Sequence, residues 1–205
     1  MNCVIVVIFS PGLHKLAFIR PTKDPTWNRI HVDHLINFDD VLYYDNRFYA
    51  IDNFCRLVSF DTSDPCNLNI KLVVGKTFRT NSSNKLYLVQ SYKGEFLRVE
   101  REFKYWILTS PEPRWIEINN LGDGALFLGD NSSISVLASH FVGCKANCIY
   151  FTHDDGAINL RRSCDMGVYD YEAERYMLHY SMDSAPVSNI TAQPPIWVVP
   201  ALDLF

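Results

Sequence analysis

Apolar and polar residues alternate in short runs along most of this chain, and nearly every run is closed by Gly, Pro, Asp or Asn. Period-two alternation bounded by turn formers marks half-buried β-strands. On that pattern strands fall at 4–9, 16–19, 41–44, 47–52, 57–61 and 71–74, then at 86–91, 96–102, 125–128, 134–138, 148–151 and 166–169. Two further strands open on tryptophan, at Trp27 in T-W-N-R-I and at Trp115 in R-W-I-E-I. Helical periodicity is nearly absent. The segment 139–142 has room for one turn, and 171–180 fits either a helix or a hairpin.

The turns are specific. Asp45-Asn46 stands between two aromatic strands in V-L-Y-Y-D-N-R-F-Y-A-I-D, and both residues tolerate the positive φ of a two-residue hairpin. A second hairpin is expected near Gly94. Trp27 and Trp115 are 88 residues apart, or two steps of 44, and propeller blades repeat every ~40–50 residues. Within each proposed blade the Trp strand comes first, followed by an aromatic hairpin and a strand ending in aromatic-Asp. Tyr43 to Asp61 spans 18 residues and Tyr150 to Asp170 spans 20. These features predict an all-β fold, a partial propeller of about four to five short antiparallel blades in one domain over residues 1–205. Trp27, Trp115 and Phe127 are expected in its core.

Composition narrows the function. Aromatics make up 14% of the 205 residues, suiting broad sheet faces. A formal net charge of −4 without any basic block argues against nucleic-acid binding. The opening M-N-C-V-I-V-V-I-F lacks a basic flank and a small-residue cleavage site, and it is too short to cross a bilayer. It reads as a buried strand, which makes cytoplasm or nucleus the expected compartment and excludes a membrane partner. Cys3, Cys55, Cys66, Cys144, Cys148 and Cys164 have no paired spacing and read as reduced, mostly buried thiols. The sequons at Asn81, Asn131 and Asn189 then carry no meaning.

No motif makes a strong chemical case. His140, Cys144 and Cys148 form H-x3-C-x3-C, with Cys164 as a conceivable fourth ligand, but zinc knuckles use tighter cysteine pairs. Leu121–Gly129 contains Gly-x-Gly, yet it runs into a strand, not into the helix N-terminus a phosphate cradle needs. Asp39-Asp40 and Asp154-Asp155 are paired carboxylates outside any Ca²⁺-loop pattern, and they read as acceptors for backbone N–H groups at hairpin ends. No catalytic, cofactor-binding or metal-binding residue is therefore assigned, and no cofactor is expected.

Longer blocks carry a resemblance. W-I-E-I-N-N-L-G-D-G-A-L-F-L-G-D-N-S-S-I-S-V, with N-C-I-Y-F-T-H-D-D and D-M-G-V-Y-D after it, resembles plant F-box-associated, kelch-like β-propeller proteins of the SKIP-type and kink-suppressed (KIB-type) families. L-A-F-I-R-P-T-K-D-P-T-W-N-R-I, Y-L-V-Q-S-Y-K-G-E-F-L-R-V-E-R and P-P-I-W-V-V-P share it. The resemblance implies a propeller that recruits a protein target for an SCF ubiquitin ligase. Family members carry an amino-terminal F-box that docks on a Skp1-type adaptor, and no such module is read ahead of Val4. The family also places a further strand before its W-x-E strand, where here only F-K-Y-W-I-L-T-S-P-E-P-R stands.

The resulting expectation is a protein-interaction module, not an enzyme. It binds an unidentified protein target but not Skp1 by itself, and it self-associates through an open propeller edge. One rival is a propeller-type glycan hydrolase using Asp39, Asp154 and Tyr150, for which two acids should face one channel ~5–10 Å apart. The other is a degenerate paralogue with no stable partner.

Overall fold

The computed structural model describes residues 3–9, 15–32, 37–77, 85–100, 104–110, 112–129, 132–151 and 167–177. These residues form sixteen strands and one 3-10 turn, Ala138–His140. The chain divides into two units, Met1–Val89 with Phe96–Glu117, and Gln90–Glu95 with Ile118–Phe205.

The first unit holds three sheets, each built by adding the next strand in sequence. Sheet one is β1 (Ile5–Phe9), β2 (Lys15–Ile19) and β3 (Asn28–Ile30). Sheet two is β4 (Phe38–Tyr44), β5 (Arg47–Asp52), β6 (Leu57–Phe60) and β7 (Lys71–Val74). Sheet three is β8 (Leu86–Gln90), β9 (Phe96–Glu100), β10 (Lys104–Leu108) and β11 (Trp115–Ile118).

Sheet two is apolar on both faces because its strands alternate two sets of large side chains. Ala50, Val58 and Phe60 pack with Leu16, Phe18 and Ile30 of sheet one. Ile51 and Leu57, pointing the other way, pack with Leu86, Leu88 and Phe96 of sheet three. A sheet covered on both sides is the driving force that joins three short meanders into one body.

A β-bulge lies between Phe38 and Asp40, since Phe38 pairs with Asp52 and Asp40 with Ile51. Asp39 is the extra residue, so Phe38 and Val41 pack into one core cluster despite their odd spacing. Beyond it, Asp45 and Asn46 take φ of 45° and 61°, as the hairpin reading required. Two further turns share one hydrogen-bond scheme. In the β5–β6 turn, Asp52 N–H donates to the Arg56 carbonyl at 3.1 Å and Cys55 N–H to the Asp52 carbonyl at 2.9 Å. In the β8–β9 turn, Ser91 N–H donates to the Glu95 carbonyl and Gly94 N–H to the Ser91 carbonyl, each at 2.8 Å.

The second unit carries β12 (Gly124–Leu128), β13 (Ile134–Leu137), β14 (Cys148–Phe151), β15 (Gly167–Asp170) and β16 (Arg175–Met177), in the order β13-β12-β14-β15-β16. Its core is Ala125, Ala138, Cys148, Tyr150 and Val168. Gly122 (φ 61°) turns the chain into β12, and a Cβ at Gly124 would stand 2.6 Å from the Tyr92 ring. The Gly-x-Gly is thus a tight turn into a buried strand.

Four expectations need correction. β12 and β14 pair in parallel, so the sheets are not all antiparallel. The segment before Trp115 does contain a strand, β10, paired to β9. Trp27 is 48% exposed: it has the parity of exposed Arg29, whereas Ile30 faces the core, so alternation turns it outward. Trp115 and Phe127 are half-buried. Finally, the tryptophans precede or open β3 and β11, which end their sheets instead of beginning them. Lys71, midway between them, opens β7, the last strand of sheet two, so the 44-residue step is the sheet-to-sheet repeat. Tyr43 to Asp61 runs from β4 past β6, while Tyr150 to Asp170 covers β14 and β15, and these two spans are not equivalent. The 171–180 ambiguity resolves, within the described residues, as the β15–β16 hairpin. The terminal P-P-I-W-V-V-P strand lies outside them.

Candidate functional site

Three places bring polar chemistry together, and the first is the bulge in β4. Asp39 Oδ2 accepts the Leu86 N–H at 3.2 Å, and Asp40 Oδ2 accepts the Leu88 N–H at 2.8 Å. Asp40 Oδ1 accepts the Val41 N–H at 2.7 Å. Leu86 and Leu88 are alternate residues of β8, the strand at one edge of sheet three, so their N–H groups point the same way. Burial pushes the Asp40 carboxyl up to about 7, against the opposing pull of the Leu88 N–H and the Lys85 ammonium.

The second place is the β5–β6 turn. Asp52, fully buried, accepts the Phe54 N–H at 3.0 Å and the Arg56 N–H at 2.9 Å through Oδ1. Its Oδ2 takes the Arg56 Nε at 2.7 Å. This anchors a turn whose tip presents Phe54, 36% exposed. Two cations lie over the Phe54 ring, the Arg56 guanidinium at 5.2 Å and the Lys76 ammonium at 5.0 Å from the centroid. A ring on a rigid turn, flanked by positive charge, is a surface suited to an acidic, apolar-bearing protein segment.

The third is in the second unit. Tyr150 stacks on Phe127 at 4.5 Å, and its hydroxyl accepts the Lys145 N–H at 2.8 Å. Burial raises the Tyr150 hydroxyl and the Cys144 thiol, and it pushes the Cys148 thiol up to about 11. Both thiols are therefore protonated, and poor nucleophiles, at neutral pH. Lys145 Nζ lies 2.5 Å from Asp170 Oδ2, and this contact, with the Ala173 and Glu172 N–H groups, holds the Asp170 carboxyl below the usual carboxylate range.

Asp39 belongs to the first unit and Tyr150 to the second, and Asp154-Asp155 lie outside the described residues. His140 is exposed at the end of its 3-10 turn. Among the described residues no group of three or more His, Cys, Asp or Glu could hold a metal ion, and Cys164 is not among them. The described cysteines are free thiols, but Cys3 and Cys66 are exposed, so the expectation of mostly buried thiols holds only for Cys55 and Cys148, with Cys144 half-buried. The sequons also fall outside the described residues.

Sequence reading missed Phe54 and the long reach of Asp39 and Asp40. An aromatic at the centre of a turn, D-N-F-C-R, was the available signal for Phe54. Contacts to residues 47 and 48 positions away left none for the acids.

No helix among the described residues is long and apolar enough to cross a membrane. The family model described as the KIB1-4 beta-propeller matches residues 1–170. In Arabidopsis thaliana, the F-box protein SKIP23 is 29% identical over 228 residues, covering 95% of this chain and 53% of that protein. The F-box protein At2g17036 is 27% identical and covered to 52%, and the putative F-box protein At5g60060 is 31% identical over 66% of this chain and 39% of its own length. The chain spans about half the length of the first two of these relatives.

Proposed function

Because the chain belongs to the KIB1-4 β-propeller family, we propose that it is a protein-interaction module whose four described sheets are blades of a partial, kelch-like propeller. It takes the role of the target-binding propeller in a plant SCF-type ubiquitin ligase and works in the cytoplasm or nucleus. One observation carries the reading: the β5–β6 turn, held by buried Asp52, presents Phe54 beneath two cations. Loops on rigid scaffolds are where binding residues concentrate.

The module is not an enzyme in this reading. The Asp39 carboxylate that a hydrolase would use already accepts a backbone N–H of β8. Nor does this β-segment bind a Skp1-type adaptor by itself, because the F-box is a helical module and the helical content of the described residues is one 3-10 turn. Unpaired strand edges favour self-association.

Affinity purification from plant tissue, using this chain and full-length SKIP23 in parallel, tests the proposal. The expected result is a protein partner shared by both baits and lost from the Phe54→Ala chain, with Skp1-type adaptors recovered on SKIP23 alone. Partners that survive both Phe54→Ala and Lys76→Glu would move the binding face elsewhere. Direct adaptor binding by the purified chain would overturn the division of roles, and glycan hydrolysis would overturn the non-enzymatic reading.

A further inference from the structure

Sheet one, like sheet two, is apolar on both faces. Leu16, Phe18 and Ile30 point to sheet two, so the residues that alternate with them point the other way. On that other face the register sets Ile5 beside Ile19, and one step past the Phe18–Asn28 pair it sets Trp27 on the far side of Ile19. Val7, Ala17 and Arg29 form the next row. Ile5 is 43% exposed and Trp27 48% exposed, and open apolar surface of this kind marks an interaction site. Trp27 is also held in place. Asp24 Oδ2, in the turn before it, accepts the Arg20 N–H at 2.7 Å and the Asn28 Nδ2 at 3.0 Å, tying down the chain on both sides of the ring. A large side chain on a fixed loop loses little entropy on binding.

The charges on this face have one sign. Among the described residues it carries Arg29, whose guanidinium lies 6.0 Å from the Phe9 ring centroid, and Lys15, opposite Phe9 in the register. Both are exposed. A partner must therefore bring apolar surface edged with acid. The β15–β16 hairpin has that chemistry. Tyr176 is 63% exposed on β16, the outermost strand of sheet four, and the turn before it exposes Glu172 and Glu174. The Tyr176 ring lies 5.0 Å from that of Tyr169, on the face opposite Val168 and Met177, which pack into the core. The hairpin's cation, Arg175, stands opposite Asp170. Other exposed apolar side chains lack this acid. Phe54 lies beneath Arg56 and Lys76, and Leu72 follows exposed Lys71.

We propose that the face of sheet one turned away from sheet two binds the β15–β16 hairpin of a second copy of this chain. Tyr176 of one copy packs on Trp27 and Ile5 of the other, and the two glutamates meet Arg29 and Lys15. This rests on the self-association proposed above and names its surfaces. The contact is head to tail. Each copy offers one face and one hairpin, so assembly continues past two copies unless the rotation closes a ring.

Sedimentation of the purified full chain across a range of concentrations tests this. The mean mass is expected to rise with concentration and to fall with added salt, which screens the charge pairs. A face variant, Trp27→Ala with Arg29→Glu, and a hairpin variant, Tyr176→Ala with Glu174→Gln, should each associate about tenfold more weakly than the parent, or worse. An equimolar mixture of the two should recover association but stop at one-to-one pairs. The face variant keeps its hairpin, the hairpin variant keeps its face, and nothing is left to extend the pair. That recovery also shows both variants to be folded. A parent chain that stays monomeric throughout would overturn this proposal and self-association together. Undiminished association in both variants would overturn this proposal alone and leave the strand edges as the contact. Loss in one variant only, or a mixture that does not recover, would likewise refute the pairing of face with hairpin.

Discussion

At Asp52–Arg56 and at Ser91–Glu95 the backbone closes the same five-residue turn with two different sets of side chains. In each, an oxygen on the first side chain accepts the N–H groups of the third and fifth residues, at 3.0 and 2.9 Å for Asp52 and at 3.2 and 3.1 Å for Ser91. The fourth residue takes positive φ in both, 60° at Cys55 and 86° at Gly94. The differences are charge and side-chain burial. Asp52 is an anion paired with Arg56, whereas Ser91 is a neutral donor to Glu95 at 2.9 Å. Gly94 faces open space, whereas Cys55 buries its side chain completely between sheets two and three. The turn needs one acceptor at its first position. What else stands there is set by what surrounds it.

The largest expected effect separates the two acceptors. Asp52→Ala leaves two N–H groups and the Arg56 guanidinium without their buried partner, a loss of about 3 kcal/mol. Ser91→Ala removes a neutral acceptor and should cost about 1 kcal/mol. Equal losses in urea unfolding would break the distinction.

The fourth position comes next. Gly94→Ala forces a Cβ into positive φ and should cost about 1–2 kcal/mol, although nothing crowds it. Cys55→Gly relieves that same strain while emptying a buried site, so opposing terms leave it within about 1 kcal/mol of the parent. A loss beyond about 2 kcal/mol for Cys55→Gly would show that packing alone decides this position.

At the fifth position Glu95→Gln should stay within about 0.5 kcal/mol, because Glu95 is exposed and its partner is a neutral hydroxyl that an amide oxygen can still accept from. A third turn sharpens the role of charge with a smaller effect still. Asp170 accepts the Glu172 and Ala173 N–H groups and pairs with Lys145. Its carboxyl is held below the usual range, so it supports folding above the ordinary carboxylate value, and that support is lost as pH falls through the lower folded-state value. Lys145→Met should shift this acid-side loss to higher pH in thermal melts. An unchanged acid limb would mean that the N–H groups alone hold the anion.

Most strand positions were legible. β5, β7 and β14 carry the boundaries the alternation predicted, because aromatic and β-branched runs closed by Gly, Asp or Asn leave little choice. The direction of β14 was not legible, since period-two alternation fits parallel and antiparallel pairing equally well. β10 is missing from the strands that the alternation predicts because F-K-Y-W-I-L-T-S-P-E-P-R reads as too short for the further strand the resemblance implies, yet K-Y-W-I-L forms it. Trp27 misled through its residue type: a large ring was assigned to the core, although its parity against Ile30 pointed outward. At the candidate site, Asp39-Asp40 was recognised as a backbone acceptor, but its donors belong to a strand that only tertiary packing brings near.

The parallel pairing of β12 with β14 bears on how the molecule is made. Each of the first three sheets grows at one edge, so a chain leaving the ribosome can complete it strand by strand, with every new segment docking on the one just finished. The fourth cannot grow that way. β13 takes one edge of β12, and the other edge must wait for the roughly twenty residues between Leu128 and Cys148 before β14 arrives beside it. During that interval an apolar strand, Gly124–Leu128, has one side uncovered. Among the described strand pairs this one is separated by the longest stretch of chain, so its closure costs the most loop entropy.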